Sequence, residues 1–156
     1  MKINISAFDV ADYFLKIVDR DSGSSITNLK LQKILYYAQG WHLAFTDIKL
    51  FENKIEAWIH GPVCPEVYKK YSKYGWDSIP DEPEKISDNF TLEQIEILDK
   101  VWGTYGDYDG KYLEELTHEE KPWKEARGSL ADNEYCVVEV STDTMKNYFK
   151  ELLSSK

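Results

Sequence analysis

Two cysteines, Cys64 and Cys136, and three histidines, His42, His60 and His118, are the side chains of this 156-residue chain best suited to bond-making chemistry. Cys64 stands near the start of a helical pattern, where a thiol's pKa can fall, and any of the histidines could serve as its base. No spacing rule ties them together, and a small buried thiol is the more usual state of such a residue. Scattered over positions 42 to 136, the five offer no CxxC or HExxH pairing, so neither a metal nor another cofactor is expected. Asp107-Tyr108-Asp109-Gly110 has the opening of a calcium loop, but the twelfth position would fall on His118 instead of a bidentate glutamate. Lys69, Lys70 and Lys73 interleave with Tyr68, Tyr71 and Tyr74 as in single-strand nucleic-acid binders. Helical geometry places Tyr71 and Tyr74 on a buried stripe and the lysines on the solvated face, which argues against direct nucleic-acid binding.

The stretch from Ile55 to Gly75, IEAWIHGPVCPEVYKKYSKYG, is more informative. Ile55, Ala57 and Ile59 alternate with Glu56, Trp58 and His60, the period of a half-buried strand. Pro62 has no amide hydrogen, so the ladder is expected to end there, with Gly61 pushed into an extended geometry. Pro65 suits the first turn of a following helix whose Val67, Tyr71 and Tyr74 share one face. His60 then stands at a strand end just ahead of a helix start, where backbone amides favour anions; a plain tight turn is the simpler alternative.

The surrounding elements are legible from caps and periodicity. Ser6 with Asp9 at N3 opens a helix through Ala7, Val10, Ala11, Phe14, Leu15 and Val18, and Asp21 to Ser25 is a loop. Thr27 caps a longer, central helix in which Leu31, Ile34, Leu35, Ala38, Trp41, His42 and Phe45 form one broad apolar stripe. Gly40 inside it costs about 1 kcal/mol relative to Ala, which implies close approach of another element beside Trp41. A short strand is expected around Leu50 and Phe51, and an exposed linker from Trp76 to Asn89. Thr91 with Gln94 boxes a helix carrying Ile95, Leu98, Trp102 and Tyr105; Asp109 caps a shorter one; Pro122-Trp123 opens another that ends at Arg127-Gly128. Glu134 to Val140 sets Cys136, Val138 and Val140 against Tyr135, Val137 and Glu139, a strand able to pair with Ile55 to Ile59. Ser141 or Thr142 caps the last helix, with Met145, Tyr148, Phe149 and Leu152. The expected fold is α+β: about six or seven helices around the Thr27 helix and a small two- or three-stranded antiparallel sheet, in one domain over 1–156 with its core at about 7–149.

Composition agrees with a globular chain: 42% hydrophobic and 14% aromatic. No apolar run approaches the ~18 residues of a membrane span, and Asp9 and Asp12 fall where a signal peptide needs an uncharged core, so a cytoplasmic location is expected. Two cysteines are too few for a disulfide framework and suit a reducing compartment. The net charge of −9 is regional: between Asp77 and Glu120 fourteen acidic side chains face three lysines. Such a face can steer a basic partner and opposes a phosphate backbone, or it merely keeps the chain soluble.

The helix LKLQKILYYAQGWHLAF from Leu29, the segment LFENKIEAWIHGPVCPEVYKKYSKYG from Leu50, Thr117-His118 followed by Pro122-Trp123, and the closing MKNYF at Met145 to Phe149 together resemble the Panacea antitoxin domain of the SocA-like family. The resemblance implies a non-enzymatic antitoxin that binds and occludes a protein toxin, encoded by an adjacent gene or carried on a prophage. One member of the family instead delivers its toxin to a Clp-type protease, so a proteolytic adaptor is the first alternative; a small hydrolase built on Cys64 and His118 is the second. Relatives often carry an added DNA-binding segment, whereas this chain begins and ends close to the domain, so repression of its own operon is not expected. The resemblance transfers no toxin-contacting residues. The rigid aromatic and apolar surroundings of the junction single out Trp58, His60, Pro62, Val63, Glu66 and Tyr68 as the candidate partner-binding set.

Overall fold

Five helices begin where a short polar side chain accepts from the free amides of the first turn: Ser6 from Asp9, Thr27 from Lys30, Thr91 from Gln94, Asp109 from Tyr112 and Ser141 from Thr144. These open α1 (Ala7–Ile17), α2 (Asn28–Thr46), α4 (Leu92–Tyr105), α5 (Gly110–His118) and α7 (Thr142–Ser154). The two short helices, α3 (Pro65–Tyr71) and α6 (Lys121–Arg127), start instead on a proline in their first turn. The structure is a computed structural model that describes residues 4–80 and 82–155. Among them the only sheet is a two-stranded hairpin, β1 (Glu56–Trp58) and β2 (Gly61–Val63), so the fold is α+β and mainly helical, as expected.

The helix α2 is the axis on which the rest packs, and it is not a single apolar stripe. From Lys30 to Ala44 every residue is buried, polar ones included, while Phe45, expected inside, is 41% exposed. The buried polar side chains are posts for the backbone of loops and of the last turn of α3. Gln39 accepts from Leu50 N and donates to Phe51 O, at 2.7 and 2.8 Å. This amide side chain takes the place of a neighbouring strand, and the expected strand at Leu50 and Phe51 is absent. Gln32 accepts from Cys64 N, Asn28 donates to Tyr68 O, and Lys30 to Gly106 O. A buried amide or carbonyl without a partner costs about 1–3 kcal/mol, which is why these loops run where the posts stand. Gly40 behaves as expected: a Cβ there would lie 2.2 Å from Phe149 Cε2, so the α7 ring sits directly on the α2 backbone, edged by Tyr36, Tyr37 and Trp41.

The junction differs from expectation in one respect that matters. Pro62 does not end the ladder; the chain reverses at Ile59-His60, and Gly61 to Val63 pairs back antiparallel, with Ala57 opposite Pro62. Ala57 turns its amide to Val138 O (2.9 Å) and its carbonyl to Arg127, so the Ala57–Pro62 pair exchanges no hydrogen bonds and the missing amide of Pro62 costs the ladder nothing. Gly61 is not extended as expected: at φ +103° it supplies the positive-φ backbone of the reversal, which a residue without a Cβ adopts at little cost. Glu134 to Val140 does run beside β1, joined through Val138 O and Val140 N, but pairing stops at this one bridge. Its expected alternation fails at Val138, which is 52% exposed while Cys136 and Val140 are buried. The linker after Trp76 is likewise not wholly free, because Ile79 is buried and donates to Ile26 O.

Candidate functional site

The hairpin tip is immobilised by side chains from three helices. Arg127 Nη1 donates to Ala57 O (3.0 Å), Trp123 Nε1 to Trp58 O (2.8 Å), His118 Nε2 to Ile59 O (2.9 Å) and Lys33 Nζ to Pro62 O (3.0 Å). Stacking reinforces the posts: the His118 and Trp123 rings lie 4.0 Å apart, and the Arg127 guanidinium covers the other partner of that stack, 4.8 Å from the Trp123 centroid. There is no slack beneath the turn, since a Cβ on Gly61 would stand 2.6 Å from Lys33 Cε and 2.8 Å from Thr117 Oγ1.

Lys33 is wholly buried, and burial drives its ammonium down to about 7, with Glu114 pulling the other way. Burial would raise the Glu114 carboxyl, but His60, whose Nδ1 lies 3.1 Å from Oε2, outweighs it with help from Lys111 and His118, and the group ends below its ordinary value. Burial also lowers His118, partly offset by Glu114. These groups are spent on one another and on backbone carbonyls. Cys64 is buried and its thiol is pushed up to about 11, away from thiolate chemistry at neutral pH. Among the described residues neither His60 nor His118 bonds to it, and no cluster of His, Cys, Asp or Glu is placed to hold a metal.

Of the candidate partner-binding residues, four reach the surface. Trp58 is half-buried, its indole N–H on Glu56 Oε1 (2.9 Å) and its ring edge-on to Tyr68 at 5.0 Å. His60, Glu66 and Tyr68 are exposed. Pro62 and Val63 are buried, because β2 lies between β1 and α2, so they support the surface without belonging to it. Sequence reasoning passed over Trp76, which is 74% exposed and stands edge-on to His60 with centroids 6.1 Å apart. Its only signal was a lone tryptophan at the head of an otherwise polar run, directly after a glycine. The two pairs, Trp58–Tyr68 and His60–Trp76, start two residues apart on the fixed hairpin and present the exposed rings of His60, Tyr68 and Trp76 with the half-buried ring of Trp58.

The family model for the antitoxin SocA-like, Panacea domain matches residues 31–124, a stretch that contains most of α2, the hairpin, α5 and the Trp123 post. Over 50 residues the chain is 46% identical to Antitoxin SocA of Caulobacter vibrioides (strain NA1000 / CB15N), covering 32% of this chain and 27% of that protein. The match thus spans about a quarter of that relative's length. No solved structure matches the chain.

Proposed function

Because the chain belongs to the SocA-like Panacea antitoxin family, we propose that it neutralises a partner protein toxin by direct binding, with the aromatic surface of the hairpin as its anchor. The observation that carries the proposal is the combination of exposed rings at His60, Tyr68 and Trp76 and the half-buried ring of Trp58 with four hairpin carbonyls held by Arg127, Trp123, His118 and Lys33. Rigid aromatic anchors lose little conformational freedom on docking, and rings flanked by a few polar groups are the residue types on which binding energy concentrates. Titratable side chains at the turn are already committed to backbone carbonyls or to each other, which favours occlusion over catalysis. No helix among the described residues is long and apolar enough to cross a membrane. The protein works in the cytoplasm in this proposal, on a toxin encoded by an adjacent gene. Coexpression with the adjacent open reading frame, scored by growth rescue and by copurification, tests it: rescue without a stable complex would refute direct binding.

The adaptor alternative needs a second surface for a Clp-type protease. An apolar groove of about 500 Å³ between α2, α4 and α7, with Phe45 and Leu153 exposed in its lining, is the feature that favours it. Purified toxin incubated with the protease discriminates: added chain accelerates toxin loss in the adaptor case and leaves it unchanged under occlusion.

A further inference from the structure

The hairpin's two edges are treated differently. On the β2 side, Lys33 takes Pro62 O and Gln32 takes Cys64 N, so that edge is closed by α2. On the other side, the Glu134–Val140 segment meets β1 through Val138 O and Val140 N only. Strand geometry then turns the amides and carbonyls of Val137 and Glu139 away from β1, and among the described residues none of the four is hydrogen-bonded. The segment is also apolar and uncovered: Tyr135 is 79%, Val137 46% and Val138 52% exposed. An exposed strand with unpaired backbone is a template for another strand.

Charge selects the occupant. From Gly128 to Thr144 the chain carries Asp132, Glu134, Glu139 and Asp143 and no Lys, Arg or His, and Glu56 lies directly across from Glu139. A second copy would bring two acidic edges together, an arrangement disfavoured when like charges oppose across strands. We propose that this edge takes up an extended, basic segment of another polypeptide, with alternating β-branched residues, as an added β-strand paired to Val137 and Glu139. The surface is separate from the aromatic anchor and does not depend on the antitoxin reading.

The test uses the full chain and a blocked, fluorescent nonapeptide of alternating valine and lysine, read by anisotropy. Saturable binding is expected, weakened by salt, absent for the glutamate-for-lysine peptide, and roughly tenfold weaker for a peptide N-methylated at alternate amides, which keeps charge and removes strand pairing. Val137→Pro deletes an outward donor and no bond to β1, so it should weaken binding roughly tenfold while the melting temperature stays within a few degrees. If that variant does not fold, the methylated peptide decides alone. Absence of binding, equal binding of the methylated peptide, equal binding by folded Val137→Pro, or a free chain that dimerises and is made monomeric by Val137→Pro would each overturn the proposal.

Discussion

Replacing Lys33 by Met should abolish a specific pH dependence of stability. The ammonium ordinarily loses its proton near 10.5, but in the fold it does so at about 7, because burial between α2 and the hairpin removes its water and leaves Pro62 O as its hydrogen-bond acceptor. Between those two values the unfolded chain binds more protons than the native one, so stability rises with pH through the window and is lost again as pH falls to about 7. Integrated from about pH 7 to about pH 9, the gain is about 2 kcal/mol. The window is best closed at that point, since the Cys64 thiol, ordinarily titrating at 9.0 and raised to about 11, works in the opposite sense above it. Urea unfolding of wild type and Lys33→Met at several pH values gives the difference directly. The wild type should gain about 2 kcal/mol on the variant across the window, whatever the variant's offset from its unpaired Pro62 carbonyl. Parallel curves would refute the burial of a titrating ammonium under the hairpin.

Three further outcomes follow from the same geometry. Gly61→Ala combines a left-handed backbone with contacts of 2.6 Å and 2.8 Å to Lys33 and Thr117, and should cost about 3 kcal/mol in chemical denaturation. Glu120, buried and accepting from Tyr36 and Tyr37, has its carboxyl raised from 4.5 to about 7 by burial, so its stabilising contribution is complete below 4.5 and lost as pH rises to about 7. Glu120→Gln should remove about 3 kcal/mol of that fall, read as the wild-type minus variant difference in unfolding free energy. Phe149→Ala opens a void against Gly40 and should cost about 3–5 kcal/mol, with hydrogen exchange accelerating first along α7.

What was legible in the sequence is what is local. Ser6 with Asp9 and Thr91 with Gln94 announce helix starts because both partners lie within one turn, and Gly40 announces a close contact because a glycine in a helix needs a reason. The burial of Lys33 was not legible: its carbonyl acceptor lies 29 residues away, and nothing in helical spacing separates a lysine that reaches solvent from one that reaches Pro62. The hairpin hid for a related reason. Ile59-His60 lacks the usual Asn-Gly signature, and Pro62 looks like a terminator until Val138 and Arg127 are seen to occupy the backbone of its partner, Ala57. Trp76 was lost in a polar segment because exposure depends on what His60 and the loop around Gly75 leave uncovered.

Toxin capture through the hairpin rings is put to the test by the double substitution Trp58→Ala/Trp76→Ala in the growth-rescue assay with the open reading frame adjacent to the gene for this chain. Trp76 is exposed and Trp58 half-buried against Tyr68, so the double variant should stay folded, as judged by a cooperative melt, while protection and copurification of the toxin are lost. Full protection by the folded double variant would contradict the account.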